Sequence, residues 1–550
     1  MVSGKYVINT KKSTLNIKNF VEKFITTTRI KVYLQQLIAR QSMIQLLAES
    51  DKNPMKRSLG VWQLIALGVG GIIGTGIFVL SGKSAALFAG PSIIISFIIA
   101  GIVAGLAALS YSEMASMVPL SGSAYTYCYA TMGEFLAWIM GWYVTLGNLA
   151  AIATVSVGWS AYIVNLIQVI FPFNATRSFI LSPIKWNETS QEFISTHAYI
   201  NIPAIVIIVV LTILVFFGIQ ESSKVNFVVV IIKIFVILLV IFASLKFIAP
   251  NNYHPFIPKN EGHFNSYGVT GMLHAATIVF FAYIGFDAVT NVAQETKNPK
   301  RDLPIGILVS LLISTVLYIG VCIVMIGVVP YKRLDSSSPM DVVLKATHLG
   351  KWIIIIVDIG AISALTSVIL VNLICQPRIF YSMANDGLLP QFMAKIHPRF
   401  KTPWIAALIT GVICAPAAGF LPLEMLGELT SIANLFTLFL VHISVIIMRF
   451  TQKDVERRFK VPLGPFVIPL IGALLCLLLM ITSATQTWIR FWVWMGLGIL
   501  IYFCYGIRNS KFNHKKVKDS SVTIATDVTP PYADGLSVHE EEEKKHDYFI

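Results

Sequence analysis

The stretch LGVGGIIGTGIFVLSG, residues 67–82, decides how this chain folds. It is strongly apolar, yet five glycines stand between residues 68 and 76. Each glycine weakens a helix interior by about 1 kcal/mol relative to alanine, so a simple helix does not explain them. The glycines do not follow the G-x-G-x-x-G spacing, and no strand precedes them, so they do not indicate a dinucleotide site.

The composition around this stretch is that of a membrane protein. Hydrophobic residues make up 55% of the 550-residue chain and charged residues 13%, whereas soluble domains carry about 25% charged residues. Apolar runs long enough to cross the hydrocarbon core recur throughout. We therefore predict an all-α polytopic membrane protein with twelve spans, at residues 61–81, 92–112, 134–167, 201–219, 226–249, 269–293, 303–329, 351–383, 403–420, 425–448, 463–484 and 489–507.

The distribution of basic residues predicts the orientation. Eleven lysines and arginines lie in residues 1–58, which favours a cytoplasmic location for both termini. Two glycosylation sequons begin at Asn174 and Asn187, in the loop that this orientation places outside. We expect both to be glycosylated in a plasma membrane protein, with a vacuolar or lysosomal membrane as the alternative.

The glycines at 70 and 74 allow two interpretations. They have the spacing of close helix packing, or they mark an unwound midpoint whose free amides and carbonyls bind a substrate. The second interpretation requires a matching break in another span, and VFFAYIGFDAV, residues 279–289, supplies Gly285 and Asp287. Two facing breaks would suit both poles of a zwitterion, as in an α-amino acid.

Lys233 is the other ionisable residue that needs an explanation. It lies inside the apolar stretch NFVVVIIKIFVILLVIF, without an acidic neighbour within one helical turn. Because a lysine in a bilayer is costly unless it faces the bundle interior, we expect it to contact carbonyls freed by the break in the first span. It would there either exchange a proton or act as a structural cation.

Several classes of function are not supported by the sequence. There is no metal-ligand cluster, no phosphate-binding loop and no spacing typical of a hydrolase, so we expect no cofactor, no metal and no enzymatic activity. The six cysteines lie in or beside apolar spans, and none lies in a loop predicted to be outside. No extracellular disulfide framework is expected.

Four motifs resemble a known family. GVGGIIGTGIFVLSG, EMASMVPLSGSAYTY, FFAYIGFDAV followed by ETKNPKRDLPIGI, and QPRIFYSMANDGLLP are similar to signatures of the amino acid–polyamine–organocation superfamily, cationic amino acid transporter branch. The resemblance implies a five-plus-five inverted repeat with broken helices 1 and 6. We therefore expect a transport core at 59–450 (repeats 59–250 and 269–450) and two further helices at 451–507. The resemblance does not cover the termini; their charge and composition predict cytoplasmic regions at 1–58, which is basic, and at 508–550, which is disordered.

The same resemblance implies roles for individual residues. The substrate carboxylate would meet backbone amides at Thr75 and Gly76, with Gly74 beside them. Lys233 would correspond to the lysine of proton-linked relatives that bridges two helices. The α-ammonium group would meet carbonyls of four residues, namely Ile72, Phe281, Ala282 and Ile284.

Substrate specificity is where the sequence departs from the family pattern. A glutamate usual in the third helix is replaced by Gly147 in GWYVTLGNLA, which weakens the case for a cationic substrate. Asn372 and Asp287, however, favour a polar or cationic side chain slightly over a broad neutral range. The loop at 168–200 contains no cysteine, so no disulfide-linked heavy chain is expected.

The sequence as a whole indicates a secondary amino acid transporter that works by alternating access. Coupling to protons through Lys233 is expected, while uniport and exchange remain open. The alternative is a membrane receptor of the same fold that senses an amino acid with little or no transport.

Overall fold

The computed structural model describes residues 36–37, 40, 59–117, 123–171, 177–187, 192–217, 223–262, 265–400, 402–452, 457 and 459–511. It is a mostly helical polytopic membrane protein. Within this part of the chain, eight helical segments are long and apolar enough to cross a membrane, and four apolar helices are shorter. Most of the predicted cytoplasmic regions and the sequon at Asn174 lie outside the described residues.

The helices follow one another along the chain, and the longest connections between them are residues 171–201 and 245–267. They are α1 Val61–Ile72, α2 Ser81–Ser84, α3 Ile93–Met117, α4 Ser123–Thr131, α5 Glu134–Ile170, α6 Ile202–Phe216, α7 Ser223–Ser244, α8 Gly268–Val279, α9 Pro299–Val328, α10 Pro339–Ala346, α11 Lys351–Asn385, α12 Trp404–Phe420, α13 Leu423–Thr451, α14 Val467–Ile481, α15 Thr485–Ile501 and α16 Ile507–Asn509. Strands β1 Ile184–Asn187 and β2 Glu192–Ser195 form an antiparallel hairpin. We call the end of the bundle that carries it the hairpin side; the sequon residue Asn187 lies in β1.

The first span is interrupted at the glycine-rich stretch. Helix α1 ends at Ile72, Ile73 has an extended conformation, and a π-helical segment resumes at Gly76–Leu80. A Cβ atom on Gly76 would lie 2.3 Å from Cα of Ala282. Glycine is therefore required here because two backbones approach each other.

A second interruption lies opposite the first. After α8 the chain forms a 3₁₀ turn at Phe280–Tyr283, becomes extended at Ile284, and continues as a 3₁₀ segment from Phe286 to Glu295. Gly285 between them has a φ of +115°, a conformation that favours glycine. A Cβ on Gly285 would also lie 2.5 Å from the carbonyl oxygen of Gly71, so the two breaks touch.

Two long helices form the centre of the bundle. Helix α5 has 37 residues and α11 has 35, about 56 and 52 Å at 1.5 Å per residue. Both exceed the ~30 Å hydrocarbon core, so they are tilted or extend beyond it. Helix α5 packs against α11 and α13, and the aromatic side chains of Trp138, Tyr143 and Tyr162 are fully buried along it.

At the end of the bundle opposite the hairpin, two buried carboxylates form hydrogen bonds and ion pairs between different elements. Glu113 is 1% exposed and accepts hydrogen bonds from Arg449 and from the backbone N–H of Val461. Glu134 accepts hydrogen bonds from Gln36 and Ser510, at 3.1 and 2.5 Å. These two carboxylates therefore connect residues that are far apart in the sequence.

Candidate functional site

A cavity of about 40 Å³ lies where the two interrupted spans meet α5 and α11. The breaks contribute backbone and small side chains, while the two long helices contribute the opposite wall. The lining residues are Gly71, Ile72, Gly74, Thr75, Val144, Asn148, Ala151, Val155, Phe281, Ile284, Gly285, Asp287, Ala288, Val368, Val371, Asn372, Cys375 and Ile379.

Most of the predicted site residues are brought together here. Seven of them line the cavity: Ile72, Gly74, Thr75, Phe281, Ile284, Asp287 and Asn372. Gly76 and Ala282 do not line it; they contact each other behind it, where the two breaks cross. Their small size sets how closely the lining backbones approach.

Thr75 offers an unsatisfied hydroxyl group beside the cavity. Its side chain is fully buried, and its Oγ1 has no hydrogen-bond partner among the described residues. Thr75 also precedes the resumed helical segment Gly76–Leu80, in which the N–H groups of Ile77 and Phe78 donate to the carbonyl of Gly74 at 3.3 and 3.4 Å. Such a terminus attracts anions, and a buried hydroxyl without a partner can be satisfied by a ligand.

The carbonyl groups expected to meet an ammonium group already have protein donors in three of four cases. The hydroxyl of Tyr318 donates to the carbonyls of Ile72 and Ala282, at 2.9 and 2.8 Å. The carbonyl of Phe281 accepts from the N–H of Ile284 at 3.2 Å. Each carbonyl oxygen has two lone pairs, so a second hydrogen bond is available to a ligand.

Lys233 lies beside the first break, next to the cavity residues. Its side chain is fully buried, and its Nζ donates to the carbonyl of Gly70 at 2.7 Å. Longer hydrogen bonds of 3.4 Å reach the carbonyl of Ile73 and the hydroxyl of Ser367 on α11. One ammonium group thus joins α7 to the interrupted first span and to α11.

The wall formed by α5 and α11 carries hydrogen-bond acceptors. The amide nitrogen of Asn148 donates to Gln376 at 2.9 Å, and that of Asn372 donates to the carbonyl of Val368 at 2.9 Å. Both side-chain oxygens have no partner among the described residues. Asp287, near the start of the segment after Gly285, adds a carboxylate that accepts backbone hydrogen bonds from its own turn.

Some residues of the site were not found by sequence reasoning. Tyr318 bonds both breaks, Gln376 fixes Asn148, and Ser367 contacts Lys233. In the sequence each is a polar residue in an apolar span, which was a usable signal. Nothing in the sequence, however, says which break such a residue faces.

The described residues contain no group of three or more His, Cys, Asp or Glu side chains placed to hold a metal ion. The two histidines of the apolar spans have hydrogen-bond partners. Nδ1 of His274 lies 2.8 Å from the carbonyl oxygen of Thr482, and Nδ1 of His442 lies 2.8 Å from the hydroxyl of Ser110. Both therefore belong to the packed interior.

Comparison with known proteins gives a consistent result. The profile of the amino acid permease family matches residues 59–503. The branched-chain amino acid permease BcaP of Bacillus subtilis is 41% identical over 479 residues, 86% of this chain and 99% of that protein. The methylthioribose transporter of the same organism is 38% identical over 87% of this chain and 100% of its own length. The vacuolar cationic amino acid transporter 4 of Arabidopsis thaliana is 33% identical over 76% of this chain and 68% of its own length. The chain therefore belongs to the amino acid permease family, in agreement with the predicted superfamily.

Proposed function

We propose that this protein is a secondary transporter of α-amino acids that works by alternating access. The observation that carries the proposal is that two spans, one interrupted at Ile73 and the other at Gly285, contact each other beside a small cavity. Interrupted membrane helices are tolerated where their free backbone groups line a cavity or are buried in protein. They supply opposite partial charges for a zwitterion.

The substrate backbone would be held by the two breaks. Its carboxylate would accept hydrogen bonds from the amides at Gly74, Thr75 and Gly76 and from the Thr75 hydroxyl. Its ammonium group would donate to the backbone carbonyls of four residues, namely Ile72, Phe281, Ala282 and Ile284. Of these, Ile284 is the extended residue of the second break. The Tyr318 hydroxyl supports this arrangement because it fixes the spacing of two of these carbonyls.

The substrate side chain would carry a hydrogen-bond donor. Asn148 and Asn372 use their nitrogens within the protein, which leaves oxygens toward the cavity, and Asp287 adds a carboxylate. A pocket of acceptors favours an amide, hydroxyl, ammonium or guanidinium group, because such a group donates to the acceptors whereas an apolar side chain cannot. This supports a polar or cationic substrate, although the rest of the wall is apolar.

Transport would be coupled to protons through Lys233. Its ammonium form bonds the carbonyl of Gly70, so loss of the proton would remove a donor from the first break. Burial within the bundle disfavours a charged group, so we expect the proton to be released when the first span moves during the cycle. The lysine would thereby link its protonation to the shape of the substrate site.

The remaining topology is part of the same proposal. Twelve spans would form a five-plus-five inverted repeat at 59–250 and 269–450, followed by two helices at 451–507. Both termini would face the cytoplasm and the hairpin side would face outward, with Asn174 and Asn187 glycosylated. We place the protein in the plasma membrane, with a vacuolar or lysosomal membrane as the alternative, and without a disulfide-linked heavy chain.

The proposal is tested by uptake into proteoliposomes containing the purified full chain. Radiolabelled arginine, asparagine, leucine and alanine are compared with and without an inward proton gradient, and unlabelled methylthioribose serves as a competitor. We expect saturable uptake with accumulation driven by the gradient. Equilibration without accumulation would refute proton coupling, and binding without flux would indicate an amino acid receptor instead.

Specificity is tested by replacing Asn372 with leucine. This removes one acceptor and keeps the volume similar, so the preference for asparagine or arginine over leucine should fall by about tenfold or more, equivalent to one lost hydrogen bond. Leu370→Ile on the same helix is the control, because it introduces no change in polarity. An unchanged ratio would refute the role given to Asn372.

A further inference from the structure

A second pair of carboxylic acids lies on the hairpin side, outside the substrate cavity. Asp341 belongs to the first turn of the short helix α10, and Asp358 lies two turns into α11. Their side chains are 1% and 0% exposed. Each is on a different element, so their contact connects α10 to the central helix.

The hydrogen bonds of this pair are incomplete. The amide of Asn165 on α5 donates to Oδ2 of Asp358 at 2.8 Å. Oδ1 of Asp358 and both carboxyl oxygens of Asp341 are buried and make no hydrogen bond of good geometry among the described residues, although the hydroxyl of Ser338 lies close to Asp341. The two carboxyl groups nevertheless lie within hydrogen-bonding distance of each other. Two carboxylates cannot donate to each other, so one donor is missing, and a single proton between them supplies it.

The charged groups around the pair do not replace that proton. Lys345, one turn after Asp341, has an exposed side chain whose Nζ contacts Asn165 at 3.4 Å. On the elements packed against α10, Lys83 is engaged in an ion pair, and Lys332 and Arg333 are exposed.

The other buried groups next to the pair are also occupied. The hydroxyl of Tyr162 donates to the carbonyl of Phe78, and Lys233 bonds the first break. Burial raises the pKa of Asp341 above the ordinary aspartate value. The N-terminus of α10 favours the negative charge on Asp341, so the proton resides on Asp358.

Helix α10 is placed to control access to the first span. It packs against the segment Gly76–Leu80 and against α2. A Cβ on Gly82 would lie 2.3 Å from Cβ of Pro339, so the first turn of α10 packs closely against α2. Next to it is an open cavity of about 360 Å³, lined by Asn165 and Ser338 among others, so water comes close to residues that contact the pair.

We propose that Asp341 and Asp358 share one proton that holds α10 against the bundle, and that release of this proton lets α10 withdraw from the resumed half of the first span. The pair is thus a proton-binding site and a hairpin-side gate, distinct from Lys233. This inference rests on the proposed transport function, because a gate needs a substrate path. The contact is complete at low pH and is lost at high pH once the shared proton has left, since two facing anions repel each other.

The test measures how accessible α10 is at different pH values. Val343 on α10 is fully buried and Ala346 is exposed, so Val343→Cys and Ala346→Cys report the hidden and open faces of the same helix. Both variants are labelled with a polar maleimide in the purified full-length protein. The ratio of their rates cancels the intrinsic pH dependence of thiol reactivity.

With both aspartates intact, the labelling rate of Val343→Cys divided by that of Ala346→Cys should rise with pH. Linkage to one proton allows a change of up to about tenfold per pH unit. In Asp358→Asn the new amide donates to Asp341, so the ratio should stay low and change less than about twofold over the same range. Asp341→Asn should also abolish the pH dependence, and Asp358→Glu should restore it.

The outcomes separate the gate from the transport proposal. In Lys233→Met the pH dependence of labelling should persist even though proton-driven accumulation is lost. A flat ratio in the wild-type background, or an unchanged pH dependence in both asparagine variants, would overturn the proton-sharing gate without affecting the substrate site. Labelling as expected with no uptake of any amino acid would refute the transport function and the gating role, and would leave only the proton-dependent contact of α10.

Discussion

Replacing Lys233 with methionine gives the sharpest test of the site. The substitution keeps a long, buried, unbranched side chain and removes the ammonium group, which donates to the carbonyl of Gly70 at 2.7 Å. The two contacts at 3.4 Å, to Ile73 and Ser367, are weaker. We therefore attribute most of the effect to the contact with Gly70.

The size of the effect follows from that hydrogen bond. A hydrogen bond to a charged group contributes about 1.5–3 kcal/mol. This energy stabilises the conformation in which the first span is broken, which is the conformation that binds substrate. At 1.4 kcal/mol for each factor of ten, the apparent KM should rise by about tenfold to a hundredfold. Proton-driven accumulation should be lost as well, because methionine does not titrate.

The assay is initial uptake into proteoliposomes over a range of substrate concentrations, with and without a proton gradient. Lys246→Met is the matched control, since Lys246 follows the same helix but is exposed. It should leave KM and accumulation unchanged. If Lys233→Met stays within twofold of the wild-type KM and still accumulates substrate, the role given to this lysine is wrong.

Two further predictions concern packing and buried charge. Gly76→Ala would place a methyl group 2.3 Å from Cα of Ala282, so uptake should fall to background. Gly496→Ala, where nothing lies within 4 Å of the new Cβ, should retain full uptake. Glu113→Gln leaves two partly buried arginines with a neutral partner inside the bundle and should cost about 3 kcal/mol or more of stability. The exposed control Glu261→Gln should cost less than about 1 kcal/mol; equal melting temperatures for the two variants in detergent would contradict the importance of burial.

The break in the first span was predictable because its cause is local. Five glycines between residues 68 and 76 cannot sustain a regular helix at low cost, and the structure interrupts the helix at Ile73. The second break had an equally local signal in Gly285, whose φ of +115° suits glycine. A lysine in an apolar span also predicts a bond to free carbonyls, and Lys233 makes that bond.

Contacts between distant residues were less accessible to sequence reasoning. Ile72 and Ala282 were expected to offer their carbonyls to a ligand, yet the hydroxyl of Tyr318 already bonds both. Asp358 gave no functional signal in the sequence, because its partner Asp341 lies on another element. Such contacts depend on which helix faces rotate toward each other, and small differences in packing decide that rotation.

The sequence by itself determined that the chain is a polytopic membrane protein of the amino acid permease type, since hydrophobicity, glycine content and motifs are properties of short segments. Only the tertiary structure decided which side chains share a cavity, which carbonyls are already bonded and which carboxyl groups meet. The physical reason is that insertion into a bilayer depends on the length and hydrophobicity of each segment. A polar group buried within the bundle, in contrast, is stabilised by a partner on another helix.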